Sequence, residues 1–137
     1  MIVKENFNYT IDGDDFQGVI CYDNEIKDPL PGVLVSHQYS GCSKLEERKA
    51  EFLAKEGYFA FAVDLYGKGI RGNTPEESLD LMNQLSSDRN ILSHRINHCL
   101  NLLKENKLVD DNKIAAIGYC FGGKCVLDLA RSGAELN

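Results

Sequence analysis

Ile114-Ala115-Ala116-Ile117-Gly118-Tyr119-Cys120-Phe121-Gly122-Gly123-Lys124-Cys125-Val126-Leu127-Asp128-Leu129 is the stretch whose reading decides the fold. Ile114 to Ile117 is a short apolar run, as expected of a buried strand. Val126, Leu127, Leu129 and Ala130 then form a helix that stops near Gly133. Between the two lies a tight turn with Cys120 at its tip. A nucleophile held on such a turn takes an unusual backbone conformation, and the crowding leaves no room for large neighbours. Gly118 and Gly122, two positions before and two after, relieve it. The pattern is G-x-S-x-G with Cys in place of Ser, a nucleophile elbow that continues through Gly123.

Two chemical consequences follow. The first turn of the helix after Cys120 presents unbonded N–H groups and a positive dipole end, which favour a thiolate. The N–H of Phe121 is aimed where an oxyanion forms during acyl transfer. Other glycine-rich turns fit less well. A dinucleotide loop needs G-x-G-x-x-G, which the spacing does not match, and Gly123-Lys124-Cys125 lacks the hydroxyl of a phosphate-binding G-K-S/T loop. A plain strand–helix turn remains the simplest competing reading.

Working outward, Val3 to Ile11 and Phe16 to Tyr22 read as two strands joined by Asp12-Gly13-Asp14, a hairpin turn. Gly32 to Ser36 is a continuous apolar run suited to a strand buried on both faces. Ser43-Lys44-Leu45-Glu46 is a capping-box pattern that opens a helix. Leu45, Phe52 and Leu53 share one face of that helix, and Gly57 ends it. Tyr58 to Val63 is the next buried strand, closed by Asp64 and a loop holding Gly67, Gly69 and Gly72. Thr74-Pro75-Glu76-Glu77 starts a second helix, with Pro at its first position. Leu79, Met82 and Leu85 continue it to a break near Ser86 to Asp88. Leu92, Ile96, Cys99, Leu100 and Leu103 form another amphipathic face. Asp110-Asp111-Asn112 then turns the chain into the elbow strand. Two strands followed by three strand–helix units predict a single three-layer α/β domain over 1–137, with a mostly parallel sheet and an antiparallel hairpin at one edge.

Composition narrows the partners. The net charge is −6 over 137 residues, and no Lys/Arg cluster stands out, which argues against nucleic acid. No stretch reaches the roughly 18 apolar residues of a membrane span. Met1 to Asn6 turns polar at once, unlike a signal-peptide core, so a cytoplasmic chain is expected. The cysteines number five, at irregular spacing. A disulfide framework is not expected, and most should be small buried apolar groups.

The elbow segment resembles that of the dienelactone hydrolase family, within the α/β-hydrolases. Asp64-Leu65-Tyr66-Gly67 is similar to the family's D-x-Y-G signature. Ser36-His37-Gln38-Tyr39-Ser40-Gly41 sits where the family has its oxyanion loop. The likeness runs from about Gly32 to Leu136. It implies an α/β-hydrolase fold and hydrolysis of a small ester or lactone by a Cys-His-Asp triad, with no metal and no cofactor. Cys120 matches the nucleophile, and the N–H groups of Tyr39 and Phe121 match the oxyanion donors. Gln38 departs from the Glu that many members carry there. A Gln holds no charge, so Cys120 would rely more on its His partner.

In α/β-hydrolases the order is nucleophile, acid, His. Seventeen residues follow Cys120, and none is His. Asp128 lies on the elbow helix and is not the triad acid. The expectation is an N-terminal portion of a hydrolase, truncated after the nucleophile helix, with an open sheet edge that invites association. Two readings therefore stand together: an esterase or lactonase acting through Cys120, and a catalytically incomplete module acting through protein association.

Other candidates have simpler readings beside them. His37 lies at the mouth of the expected site, and a structural bond to the loop backbone is the favoured role. His94 and His98 share a helix face, but Arg95 stands where H-E-x-x-H needs Glu, so a solvated surface is expected. Arg71 is a candidate for a substrate carboxylate, although a solvated Arg is commoner. Asp64 should stabilise its own loop, and Cys125 should be core.

Overall fold

The structure is a computed structural model that describes all residues, 1–137. Its strands are β1 (Ile2–Ile11), β2 (Asp14–Asp23), β3 (Leu30–Ser36), β4 (Phe59–Ala62) and β5 (Val109–Gly118). The helices are α1 (Lys44–Lys55), α2 (Pro75–Ser86), α3 (Arg89–Glu105) and α4 (Phe121–Arg131). One mixed sheet runs β1-β2-β4-β3-β5. β1–β2 and β2–β4 are antiparallel, while β3–β4 and β3–β5 are parallel. The hairpin turn has positive φ at both Asp12 (52°) and Gly13 (88°), the conformation whose twist matches a two-residue hairpin.

Side-chain alternation divides the core between two faces. Val33, Val35, Ala60 and Ala62 pack with Ala50 and Ala54 of α1. Leu34, Phe59 and Phe61 face the other way, toward Leu92, Ile96, Leu100 and Leu103 of α3 and Cys125 and Leu129 of α4. Sheet, α1 on one side, and α3 with α4 on the other make the three layers.

Three local expectations need correction. The buried face of α1 is Glu46, Ala50 and Ala54, whereas Phe52 is 61% and Leu45 41% exposed. Alanines let the helix approach the sheet closely, so the small residues rather than the large ones turn inward. Leu79 on α2 and Leu127 on α4 are exposed as well. Asp110-Asp111-Asn112 does not precede the last strand but lies within it. Pro31 pairs Asp110 and Gly32 pairs Ile114, so the turn survives as an irregularity inside β5.

Strand order positions the site. After β3 the chain crosses to β4 on one side, then returns to β5 on the other. The carboxyl ends of β3 and β5 thus meet where the order reverses, the place at which open α/β sheets bind ligands. Ser36 pairs Gly118 there, so the loop after β3 and the elbow after β5 are neighbours.

Candidate active site

Cys120 is the N-cap of α4, at φ 53° and ψ −118°. This is strained backbone for a non-glycine residue. No side chain caps the helix, and Phe121, its first residue, has no intrahelical acceptor for its N–H. The close approach expected around the turn is present. A Cβ on Gly118 would strike the Gly122 backbone, and one on Gly122 would strike the carbonyl oxygens of Ser36 and His37. Gly123 is different, since its Cβ would come no nearer than 3.4 Å to the Gly118 oxygen.

The five thiols divide sharply. Cys21, Cys42, Cys99 and Cys125 are buried, and Cys120 is exposed. Burial pushes each of the four buried thiols up to about 12, so they stay protonated near neutrality. Cys120 alone combines solvent access with a helix N-terminus.

The loop after β3 is tightly held. His37 is fully buried. Its Nδ1 lies 2.7 Å from the Gln38 oxygen, and its Nε2 accepts the Leu65 N–H at 3.1 Å. An amide N–H only donates, so Nε2 is unprotonated and Nδ1–H donates. Both nitrogens are committed, which leaves no free base for Cys120. Desolvation holds the His37 pKa below its ordinary 6.5, against the raising influence of the Gln38 carbonyl, Asp64 and Glu46. The folded state therefore favours the neutral ring. Its contribution to stability is complete above pH 6.5 and is lost as pH falls. Stability measured by urea unfolding should drop below pH 6.5 by up to about 1.4 kcal/mol per pH unit from this group. His37→Asn should remove that share of the slope.

Phe121 ties the elbow to both loops. Its ring stacks on Tyr66 at 6.1 Å and lies 6.2 Å from His37. Tyr66 donates its hydroxyl to the Tyr39 carbonyl at 2.7 Å. The Tyr39 N–H donates to no protein acceptor. Gln38 is half-buried and is held through its backbone N–H by Glu46 Oε1 at 3.2 Å.

Arg71 is half-buried, and its guanidinium is engaged by the protein itself. Its Nε donates to the Cys42 carbonyl at 2.5 Å, and its terminal nitrogens reach the carbonyls of Gly67, Ile70 and Gln17 and the Asp64 carboxylate. Glycine-rich sequence hides such a clamp, because its acceptors are backbone oxygens from three separate segments. Arg71→Ala should cost about 2 kcal/mol, read as a lower urea midpoint at unchanged m-value. Asp64 stabilises its own loop as expected, accepting from the Tyr66, Gly67 and Gln17 N–H groups at 3.0 Å.

The remaining candidates lie elsewhere. His94 is exposed and pairs with Asp12 at 3.1 Å. His98 departs from the solvated reading, because it is half-buried with its ring 6.4 Å from that of Tyr9. Asp128 pairs with Arg89 and Arg131 at 3.5 Å on α4. No group of three His, Cys, Asp or Glu side chains is arranged to hold a metal. A concavity of about 300 Å³, lined by Tyr22, Ile26, Lys27 and Lys107, opens at the start of β3, away from the elbow. No helix is long and apolar enough to cross a membrane.

Two residues of this loop network have roles that local sequence patterns do not reveal. Tyr66 was visible only as part of D-x-Y-G, and Glu46 only as a helix cap. Their loop partners are 27 and 8 residues away, beyond the reach of local patterns.

Comparison with known proteins agrees with this arrangement. The family model described as the dienelactone hydrolase family matches residues 16–137. The solved structure of m3DLH is 34% identical, with a TM-score of 0.94, over 99% of this chain and 57% of that one. A dienelactone hydrolase-like promiscuous phosphotriesterase from metagenomic libraries is 30% identical, with a TM-score of 0.93, over 99% of this chain and 56% of that one. A 48-residue stretch is 48% identical to an uncharacterized Caenorhabditis elegans protein, covering 34% of this chain and 30% of that one. The chain thus spans little more than half the length of these solved structures.

Proposed function

We propose that this chain, which belongs to the dienelactone hydrolase family of α/β-hydrolases, carries the nucleophilic half of an enzyme that cleaves small esters or lactones through Cys120. The observation that carries the reading is the strained, exposed thiol at the N-terminus of α4, the only one of five cysteines not buried.

In this mechanism the Cys120 thiolate adds to the substrate carbonyl, and the carbonyl electron pair moves to oxygen. The N–H groups of Tyr39 and Phe121 stabilise the oxyanion. Collapse expels the alcohol, which takes a proton, and leaves a thioester on Cys120. Water then adds to the thioester and releases the acid and the thiol. The proton-transferring His and its carboxylate partner are assigned to the part of the fold that the solved relatives have and these 137 residues do not contain. The five unpaired cysteines favour a reducing compartment, and a cytoplasmic location is proposed on that ground.

The full-length gene product tests the reading. With an excess of a p-nitrophenyl ester, about one equivalent of phenolate should appear in a burst before steady turnover. Absence of both burst and turnover, across acetyl and butyryl esters and a small lactone, would count against it.

One observation favours the second reading, a catalytically incomplete module that acts through association. β5 pairs only with β3 and forms the sheet edge. Asn137 covers one place on it, donating its N–H to the Ile114 carbonyl at 2.7 Å and accepting the Ile114 N–H at 3.0 Å. The apolar run Ile114 to Ile117 is otherwise open on this edge, and an open apolar edge is a template for strand pairing. Saturable turnover by residues 1–137 alone, lost in Cys120→Ala, would refute this reading. Inactive residues 1–137 that sediment as an assembly would support it.

A further inference from the structure

The carboxylate of Glu46 reaches beyond the helix it begins. In a capping box the third helical residue bonds back to the N-cap N–H, and nothing more is required of it. Here Glu46 is only 3% exposed, and its two oxygens divide their work. Oε2 accepts the Ser43 N–H at 2.9 Å and the Ser43 hydroxyl at 2.7 Å. Oε1 accepts the N–H of Gln38, in the loop after β3. A buried carboxylate is costly unless hydrogen-bonded, and three donors satisfy this one.

The bond to Gln38 fixes one peptide plane, and the next plane is fixed as well. The Gln38 carbonyl receives His37 Nδ1–H at 2.7 Å and the Gly41 N–H at 3.1 Å. In a trans peptide the C=O and the following N–H point in opposite directions. Holding the Gln38 carbonyl therefore aims the Tyr39 N–H to the other side, where no protein acceptor meets it. Both peptides around Gln38 are thus pinned, one by Glu46 and one by His37.

We propose that Glu46 is a positioning residue for the oxyanion donor of Tyr39, an assignment that rests on the esterase reading above. It touches no reacting atom. It sets the backbone of Gln38, and so the direction of the adjacent N–H. Donors serve an oxyanion only when already aimed at it, so a loosened loop should lower turnover without altering the thiol.

The test uses the full-length gene product and two reactions of the same thiol. Ester turnover builds an oxyanion. Alkylation of Cys120 by iodoacetamide displaces iodide at a saturated carbon and builds none. Glu46→Ala should lower kcat about 30-fold, with KM and the alkylation rate each within about twofold of wild type. Glu46→Gln keeps the shape, but its amide turns a donor toward a donor, and about a 5-fold loss in kcat is expected. Ser43→Ala removes the cap hydroxyl and leaves the Gln38 bond, so its kcat should stay within twofold. If Glu46→Ala does not fold, Glu46→Gln decides. Wild-type kcat in the folded Glu46 variants would overturn the proposal. Equal losses in turnover and alkylation, or the same loss in Ser43→Ala, would overturn it too. Turnover surviving in Cys120→Ala would instead overturn the esterase reading, and this assignment with it.

Discussion

Cys120→Ala in the full-length protein is expected to reduce ester turnover at least about 10³-fold, the scale on which removal of an attacking nucleophile acts. The reason is the absence of a substitute. The other four thiols are buried, with pKa values pushed to about 12, and none belongs to the N-cap of a helix. His37 has both ring nitrogens bonded to the main chain. The fold should tolerate the change, because the Cys120 side chain caps nothing and lies in solvent. A companion substitution separates strain from chemistry. Cys120→Gly should be as inactive, yet more stable by about 1 kcal/mol, since glycine accepts φ 53° and ψ −118° with little penalty. Urea unfolding of both variants, beside a steady-state ester assay, reads the two effects independently.

Gly122→Ala is the second large effect, and it falls on stability. The added methyl would meet the carbonyl oxygen of Ser36, with that of His37 at 2.8 Å. Both are backbone atoms at the end of β3, so relief requires α4 to move away from the sheet. A loss of about 3 kcal/mol is expected, together with displacement of Phe121 from Tyr66. Gly123→Ala supplies the contrast. Its nearest obstacle lies at 3.4 Å, and alanine is the better helix former, so the change should be neutral or stabilising by up to about 1 kcal/mol. Denaturation midpoints of the two variants check this directly. Similar losses in both would mean that helix geometry, rather than approach to β3, sets the glycine requirement.

These glycines also mark how far the sequence could be read. Gly118, Gly122 and Gly123 look alike in the motif. Only the packing around the turn shows that a Cβ would strike backbone at Gly118 and Gly122 and make ordinary contact at Gly123. Where the determinants are local, reading was sufficient. Ser43 and Glu46 form their cap, Thr74 and Pro75 begin α2, and the stripe from Leu92 to Leu103 is buried throughout. Where the determinants are distant, it failed. Ala50 and Ala54 repeat at i and i+4 as clearly as the larger residues do. Leu45 and Phe52 are larger, yet the closeness of α1 to the sheet selects the alanines. Arg71 was open to two readings because its acceptors are main-chain atoms of Gln17, Cys42, Gly67 and Ile70, which no motif records. The loop after β3 was legible as a loop, but the side chains that hold it, Tyr66 and Glu46, come from other elements.

Acylation of Cys120 is the central step of the proposed reaction. The most direct measurement is intact-protein and peptide mass spectrometry of the full-length gene product, quenched in acid during turnover of a slowly hydrolysed ester. One acyl group per chain is expected, mapped to the peptide containing Cys120, absent from the other four cysteines and absent in Cys120→Ala. Steady ester turnover with no adduct on Cys120, or an adduct on another residue that forms at the same rate in Cys120→Ala, would contradict it.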